Sequence, residues 1–201
     1  MRLIITRHGE TIENKQGIMQ GHLQGNLSEN GRKQAKKLSE RLKNEKIDFI
    51  YSSDLARAAD TANEIAKYHK DIPVHFVEEL REKNLGEYTG KSWLEVSNFD
   101  ELINSDDGRG GIESRKHAKE RILGLLSLVT KKYPGKTVLF VGHNGINKIL
   151  IRAILEESNF PCEDLVDQHN TAVNVFEIRK EKDHKIKVLN CVKHLNCKNY
   201  E

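Results

Sequence analysis

Near its amino end the chain reads Arg2-Leu3-Ile4-Ile5-Thr6, and the polar segment Arg7-His8-Gly9-Glu10-Thr11 follows at once. The first segment is short, apolar and rich in β-branched residues, and a glycine comes soon after it, which is typical of a buried strand. In sheets of parallel strands, ligands bind beyond the carboxyl ends of the strands. The histidine and arginine of the second segment therefore lie where a ligand site is expected.

Further strands are predicted wherever short apolar runs recur between polar stretches. The most apolar run, Val138 to Val141, is predicted to be central in the sheet. The last two runs flank the polar turn Lys180 to Lys185, which indicates a hairpin. The predicted strands after the first are Ile47 to Tyr51, Pro73 to Val77, Val138 to Val141, Val173 to Ile178 and Ile186 to Asn190.

Helical spacing of apolar residues fills the intervals between these strands. A helix is predicted from Ser28 to Asn44 with Ser28 as its N-cap, and the next helix is predicted to be capped by Ser53. Two more are predicted around Ala118 to Val129 and Gly145 to Leu155. This alternation predicts an α/β fold, with a mostly parallel central sheet and helices on both faces.

The 201 residues are predicted to form a single domain, 1–201, because no repeat or linker divides the chain. Residues 84–112 are rich in Gly, Asn, Asp and Ser, and Trp93 and Phe99 are among their few apolar side chains. Long loops in compact domains often serve as lids or binding loops. We expect residues 84–112 to be a lid that contacts the substrate.

The charge balance of 33 basic against 30 acidic residues gives no reason to expect nucleic acid or a membrane as a partner. No apolar run reaches the length of a transmembrane helix. The three cysteines are an odd number for a disulfide scaffold, which favours a reducing, cytoplasmic location. We expect a monomer or a homodimer.

Charged side chains and histidines follow several of the predicted strands, so we expect them to meet at one edge of the sheet. Arg7 and His8 follow the first strand, Arg57 the second, Glu82 the third and His143 the central one. Arginine presents a planar fork to phosphate oxygens, and a neutral imidazole can attack phosphorus to form a phosphohistidine. Nearby arginines would keep that imidazole uncharged. The pattern favours a site for a phosphate group.

Two other interpretations of the histidines are a metal site and a purely structural role. A zinc site usually includes thiolates or carboxylates rather than arginines, and the sequence has no His-Glu-x-x-His pattern. We therefore expect no metal and no cofactor. The structural role is favoured for the histidines around which no other reactive groups converge, namely His22, His69, His75, His117, His184 and His194.

The motifs resemble, in order, those of the histidine phosphatase superfamily, the phosphoglycerate mutase-like group (branch 1). Arg7-His8-Gly9-Glu10-Thr11 is similar to the family signature, and the resemblance extends over nearly the whole chain. The other similar segments are Asn14 with Gln20-Gly21, Leu27 to Gly31, Ser52 to Ala58, Leu80-Arg81-Glu82 with Gly86 and Gly90, Val141 to Gly145, and His169-Asn170-Thr171.

The resemblance implies a role for each matching catalytic residue. His8 would be the nucleophile that carries the phosphoryl group. Arg7, Arg57 and His143 would surround that group. Glu82 would protonate the leaving oxygen and then activate water, for which partial burial is expected.

The resemblance also implies substrate contacts from Asn14, Gln20 and Gly21. Weaker candidates for the acid are Glu10, Glu79 and Glu87. The chain departs from the family pattern where many members have a glycine in place of Asn144, so Asn144 is expected to contact the substrate. Two further departures are Lys83-Asn84-Leu85 and Gly111-Ile112-Glu113-Ser114.

Three functions are compatible with this reading. The first is a metal-independent phosphomonoester hydrolase that acts on a small phosphorylated metabolite through a phosphohistidine. The second is a cofactor-dependent phosphoglycerate mutase, which is less favoured because the chain is compact where mutases of the family carry longer segments. The third is a non-catalytic protein that binds a phosphorylated ligand on the same fold.

Overall fold

The computed structural model describes residues 1–97, 101–102, 107–158, 167–179 and 183–195. Phe99, part of the predicted lid and part of the predicted turn Lys180 to Lys185 lie outside the described residues, as do Cys162 and Cys197. Cys191 is a free thiol.

One sheet organises the fold, and its strands lie in the order β3-β2-β4-β1-β5-β6. Four neighbouring strands, β3, β2, β4 and β1, are parallel, whereas β5 is antiparallel to β1 and β6 is antiparallel to β5. The strands are β1 (Arg2–Arg7), β2 (Phe49–Ser53), β3 (Val74–Val77), β4 (Thr137–Gly142), β5 (Val173–Glu177) and β6 (Lys185–Cys191).

Helices connect the parallel strands and cover both faces of the sheet. They are α1 (Ile12–Lys15), α2 (Glu29–Leu42), α3 (Ala56–Ala66), α4 (Arg115–Lys132) and α5 (Asn144–Glu157). Short 3-10 turns occur at Glu78–Leu80, Gly86–Tyr88, Arg109–Gly111 and Lys193–Leu195. No helix in the described part of the chain combines the length and apolar composition needed to cross a membrane.

The two faces of the sheet carry separate hydrophobic cores because side chains alternate along each strand. Leu3 of β1 and Phe140 of β4 lie in the core beneath α4 and α5. Their sequence neighbours Ile4 and Leu139 lie in the other core, beneath α2 and α3. All four side chains are fully buried, so β1 and β4 are covered on both sides, as parallel strands usually are.

The direction of the strands determines which loops meet. The segments after β1, β2, β3 and β4 emerge at one edge of the sheet because these strands are parallel. The segment before β5 reaches the same edge because β5 runs in the opposite direction. Residues from five places in the sequence are thus brought together there.

The predicted α/β class, the mostly parallel sheet and the closing hairpin are confirmed. Ser28 caps α2 as predicted, because its side chain accepts a hydrogen bond from Gly31 N. The prediction that Ser53 caps α3 is wrong. Leu55 is the N-cap, and Ser53 is the last residue of β2, whose Oγ accepts from Leu55 N instead.

Gln24 supplies the hydrogen-bond acceptors at the start of α3 that a capping side chain usually provides. Its Oε1 accepts from Ala56 N at 2.9 Å and its carbonyl accepts from Arg57 N at 3.2 Å. The first N–H groups of a helix need such acceptors because they have no partner within the helix. Gln24 is thereby fixed against the start of α3.

Candidate active site

The register between β1 and β4 places the two central histidines side by side. Arg7 at the end of β1 pairs with Gly142 at the end of β4. The residues that follow them, His8 and His143, therefore lie next to each other beyond the carboxyl ends of the two strands. His8 N donates to Gly142 O at 3.0 Å, and the ring centroids of His8 and His143 are 5.1 Å apart. Both histidines are buried.

The His8 ring is held in one tautomer by its own backbone. Its Nδ1 lies 2.6 Å from Gly9 O. A carbonyl oxygen only accepts hydrogen bonds, so Nδ1 carries the proton and Nε2 of the neutral ring carries a lone pair. Nε2 therefore has the free electron pair that attack on an electrophile requires.

His143 adopts the opposite tautomer because of Arg57. Arg57 Nε donates to His143 Nδ1 at 3.1 Å, so the His143 proton is on Nε2. This Nε2 is buried and has no hydrogen-bond partner among the described residues. A buried donor without a partner is costly unless a ligand satisfies it. One histidine thus offers a lone pair and the other an N–H group.

Burial and neighbouring charge keep both rings uncharged. Removal from water lowers the pKa of His8 well below its ordinary value, and the positive charges of Arg57 and Arg7 lower it further. Burial, followed by the charge of Arg57, likewise lowers the pKa of His143. A neutral His8 is the form that can attack phosphorus.

Arg57 is almost fully buried and is surrounded by backbone carbonyls. Its Nη2 donates to Gly21 O at 2.9 Å, and its Nη1 donates to Leu23 O and, at 3.3 Å, to Gln24 O. Burial lowers the pKa of Arg57 to about 10, while the charge of Glu82 opposes this effect. The carbonyls hold a positive charge in place beside both histidines.

Arg7 is fixed from the segment that precedes β5. Its Nη1 donates to Gln168 O at 2.6 Å. Gln168 N in turn donates to Asn144 Oδ1 at 2.8 Å, which ties this segment to the start of α5. The buried Arg7 Nε has no partner within the described residues, so it is a second donor that a ligand could satisfy.

Glu82 lies against the N-terminus of α5. Its Oε2 accepts from Gly145 N at 2.9 Å, and its Oε1 accepts from Ile146 N and Lys83 N, each at 3.0 Å. The exposed N–H groups of a helix start favour a negative group at this position. The side chain is half-buried, which agrees with the expectation for a catalytic acid.

The backbone of Glu82 is also held in position. Its carbonyl accepts from His22 Nε2 at 2.9 Å and from Arg121 Nη2 at 3.2 Å. Arg121 forms a two-pronged ion pair with the buried Glu113, at 2.7 Å from Nε and 2.9 Å from Nη2. His22 and Glu113 therefore support the turn that carries Glu82.

These groups surround a cavity of about 400 Å³. Of the residues predicted to be catalytic, Arg7, His8, Arg57 and Glu82 line it, and His143 is buried directly beside His8. The other acid candidates, Glu10, Glu79 and Glu87, do not belong to the cavity wall formed by the described residues. The structure thus brings the five predicted catalytic residues together.

The four residues predicted to bind substrate all line the cavity, namely Asn14, Gln20, Gly21 and Asn144. Asn14 is oriented by a capping box with Thr11 at the start of α1. Gly21 contributes its carbonyl to Arg57 and has a φ of 45°, a conformation that favours glycine. Asn144 both lines the cavity and holds Gln168.

Several residues of the cavity wall were not expected from the sequence, including Asp167, Ile18 and Met19, whereas Trp93 belongs to the predicted substrate loop. Asp167 precedes an antiparallel strand, so the rule for parallel strand ends did not point to it. The predicted hairpin was the available signal, because it brings the start of β5 to the same edge as the end of β1.

The carbonyl of His8 is held by two residues that precede β5. Asn170 Nδ2 donates to it at 3.0 Å, and Thr171 N lies 3.1 Å from Arg7 O and 3.3 Å from His8 O. Thr171 has a φ of 57°, which is uncommon for a residue with a branched side chain. Its Oγ1 is 3.1 Å from Nε2 of the buried His194.

In the ranges that the structure covers, no three His, Cys, Asp or Glu side chains are grouped so that they could hold a metal ion. The charged side chains that act most strongly on the pKa of His8 are those of Arg57 and Arg7. Two positive charges beside the ring suit an anion better than a cation.

Comparison with known proteins identifies the family. The sequence matches the histidine phosphatase superfamily (branch 1) over residues 3–192. It is 34% identical over 202 residues to phosphoglycerate mutase-like protein 4 of Arabidopsis thaliana, covering 96% of this chain and 86% of that protein. It is 35% identical over 189 residues to a metal-independent phosphoserine phosphatase of Arabidopsis thaliana, covering 90% and 77%.

Solved structures agree with the sequence comparison. Bacillus stearothermophilus YhfR is similar with a TM-score of 0.84 and 28% identity, covering 96% of this chain and 98% of that chain. A mycobacterial glucosyl-3-phosphoglycerate phosphatase in complex with VO3 has a TM-score of 0.83 and 27% identity, covering 95% and 99%. The chain therefore belongs to the histidine phosphatase superfamily (branch 1) and is a phosphatase of that family.

Proposed function

We propose that this chain hydrolyses small phosphate monoesters by transferring the phosphoryl group to His8 Nε2. The observation that carries the proposal is the hydrogen bond from His8 Nδ1 to Gly9 O, at 2.6 Å, in a ring whose pKa is lowered. A neutral imidazole with its lone pair on Nε2 is the form required for attack on phosphorus.

The first step forms the bond from Nε2 to phosphorus and breaks the bond from phosphorus to the alcohol oxygen. Arg7, Arg57 and the Nε2–H of His143 hold the non-bridging oxygens and stabilise the charge that develops on them. Glu82 gives a proton to the departing alcohol oxygen, and it must take up that proton before the step because its three N–H contacts favour the charged carboxylate.

The second step returns the enzyme to its starting state. Water attacks the phosphorus of phospho-His8, and the carboxylate of Glu82 takes a proton from that water. The bond from Nε2 to phosphorus breaks, and inorganic phosphate leaves. Glu82 is protonated again and His8 is neutral, so neither step requires a metal or cofactor.

The substrate class is supported by the relatives. Their names include a metal-independent phosphoserine phosphatase and a glucosyl-3-phosphoglycerate phosphatase. Both act on small phosphorylated metabolites, and the 400 Å³ cavity suits a ligand of that class. Residues 84–112 as a substrate loop, a cytoplasmic location and a monomeric or homodimeric state remain predictions.

The test measures phosphate release from p-nitrophenyl phosphate in excess EDTA and traps ³²P-labelled enzyme by rapid quenching. We expect turnover in EDTA and a label that is acid-labile and alkali-stable, as for a phosphohistidine. His8→Ala should lose both the turnover and the label. His75→Ala, which changes an exposed histidine on β3, is the matched control and should retain both.

Other outcomes would contradict the proposal in distinct ways. Retained activity in His8→Ala would rule out a mechanism that passes through phospho-His8. Transfer of the label to a second hydroxyl group of a primed substrate, rather than to water, would identify a mutase. Phosphate binding without turnover would indicate a non-catalytic protein.

A further inference from the structure

Part of the cavity wall has no charged group and is separate from the residues assigned to catalysis. We call it the apolar wall. Its members are Gly17, Ile18, Met19, Leu85 and Trp93. Met19 and Leu85 are buried, whereas Trp93 is 55% exposed although it lines the cavity, which places it at the mouth.

The apolar wall is fixed by main-chain hydrogen bonds between two distant segments. Trp93 N donates to Gly17 O at 3.0 Å, Met19 N to Lys91 O at 2.9 Å and Gly90 N to Met19 O at 2.8 Å. Ile18 and Ser92 form an antiparallel bridge between them. The position of Trp93 is therefore set by backbone pairing with residues 17–19.

A glycine makes room for the indole ring. Gly17 has a φ of 69°, and a Cβ atom at this residue would lie 2.4 Å from Trp93 Nε1. The ring thus lies directly over the backbone of residue 17. A large aromatic side chain that stays exposed at the mouth of a cavity is a candidate contact for a ligand.

The apolar wall starts next to the residues that would hold the phosphate. A Cβ atom on Gly21 would be 3.3 Å from Leu85 Cβ, so these two residues are neighbours. Gly21 O accepts the hydrogen bond from Arg57 Nη2. The apolar wall therefore begins beside Arg57, in the same cavity, where it is next to a phosphate ester held by Arg57.

We propose that the apolar wall selects phosphate monoesters whose alcohol carries a flat apolar ring. The ring would lie along Leu85 and Met19 and stack on Trp93. This inference rests on the proposed hydrolysis through His8 and adds the class of leaving alcohol to it. Aromatic contacts of this kind provide substantial binding because a large apolar surface leaves water.

The test compares two esters that differ in the ring but not in the chemistry of the leaving group. We would measure kcat/KM for 2-phenylethyl phosphate and for ethyl phosphate, both esters of primary alcohols. The wild-type enzyme is expected to prefer the phenyl ester by about tenfold or more, which is the ratio that ~1.4 kcal/mol of ring contact produces. Trp93→Ala should remove most of this preference.

Two further variants separate contact from folding. Trp93→Phe keeps an aromatic ring at the mouth of the cavity and should retain part of the preference that Trp93→Ala loses. Leu94→Ala changes the adjacent residue, which is 79% exposed and does not belong to the described cavity wall. It is the matched control and should keep the wild-type preference.

The outcomes distinguish this inference from the proposed function. Equal kcat/KM for both esters in the wild-type enzyme, or an equal loss for both in Trp93→Ala, would overturn the role of the apolar wall. In either case, hydrolysis of ethyl phosphate would still be consistent with the proposed mechanism through His8. Failure of the wild-type enzyme to hydrolyse either ester or p-nitrophenyl phosphate would instead count against the proposed function.

Discussion

Gly145 and Glu82 are in direct contact, and the contact depends on the missing side chain of Gly145. Gly145 N donates to Glu82 Oε2 at 2.9 Å, and a Cβ atom on Gly145 would lie only 2.6 Å from Oε1. A side chain at residue 145 would therefore force the carboxylate of Glu82 to shift from this position. Position 145 is thus a determinant of where the proposed acid lies.

Gly145→Ala is expected to lower kcat by displacing Glu82. A displacement of about 1 Å in a catalytic group can reduce turnover about 100-fold. The loss should be larger for an alkyl phosphate than for p-nitrophenyl phosphate, because only the poor leaving group needs the proton from Glu82. Measurement of kcat for both esters tests this.

Gly124→Ala is the matched control for that substitution. Gly124 also lies in a helix, α4, and a Cβ atom there would meet no described atom within 4 Å. Alanine at this position should raise the free energy of unfolding by about 0.5–1 kcal/mol, because it is the better helix former. A fall in kcat equal to that of Gly145→Ala would contradict the role of the Glu82 contact.

His143 is expected to act through its Nε2–H group, and two amide substitutions can test this. His143→Gln places an N–H donor near the position of Nε2, whereas His143→Asn places it near Nδ1. The loss of one donor to the transition state costs about 10²–10³ in kcat. We expect Gln to retain more activity than Asn or Ala, and inhibition by vanadate should follow the same order.

Glu113→Ala is expected to lower both stability and turnover. It removes the partner of Arg121, whose side chain is 15% exposed and also holds the carbonyls of Glu79 and Glu82. A buried charge left without its partner costs about 3–5 kcal/mol in the free energy of unfolding. Urea denaturation and kcat would be measured together.

Glu29→Ala provides the comparison for a surface ion pair. Glu29 pairs with Lys33 on α2, and both side chains are largely exposed. Exposed pairs contribute little to stability. If the two variants lose stability equally, the buried pair of Glu113 and Arg121 does not support the Glu82 turn as described.

Stability is expected to fall as the pH decreases below the ordinary histidine pKa of 6.5. Burial lowers the pKa of His8 and His143 well below this value and that of His194 to about 4. Between the lowered and ordinary pKa values the unfolded chain binds more protons than the folded one, so the free energy of unfolding rises with pH. The part that comes from His194 should level off near pH 4.

Urea denaturation between about pH 7.5 and pH 5.5 measures this dependence through the linked proton uptake. His194→Asn should make the slope shallower, because it removes one of the groups that charge only on unfolding. A free energy of unfolding that stays constant or rises as the pH decreases would contradict the assignment of uncharged histidines.

Much of the site could be predicted because the residues follow parallel strands. Arg7, His8 and His143 are adjacent in space once β1 and β4 pair, and the apolar runs alone indicated both strands. Strand direction also places Arg57 and Glu82 at this edge, because the alternation of strands and helices specifies it. The role of Glu82 as the acid was implied by the family resemblance and not by strand direction.

The remaining contacts depend on pairings between segments far apart in the sequence. Trp93 contacts Gly17 through a main-chain hydrogen bond that no local sequence pattern predicts. Gln24 takes the place of the predicted Ser53 cap because the loop before α2 folds onto the start of α3. Side chains of this kind are specified by tertiary packing rather than by local propensity.

The position of β1 in the sheet has a consequence for protein synthesis. β1 carries His8, yet its two neighbours in the sheet, β4 and β5, come from residues 137–177. A growing chain therefore presents the proposed nucleophile long before the strands that orient it and remove it from water have been made. Such long-range pairing is slow to form. We expect activity to emerge on the ribosome or during refolding only with the final cooperative step, and never from an amino-terminal intermediate.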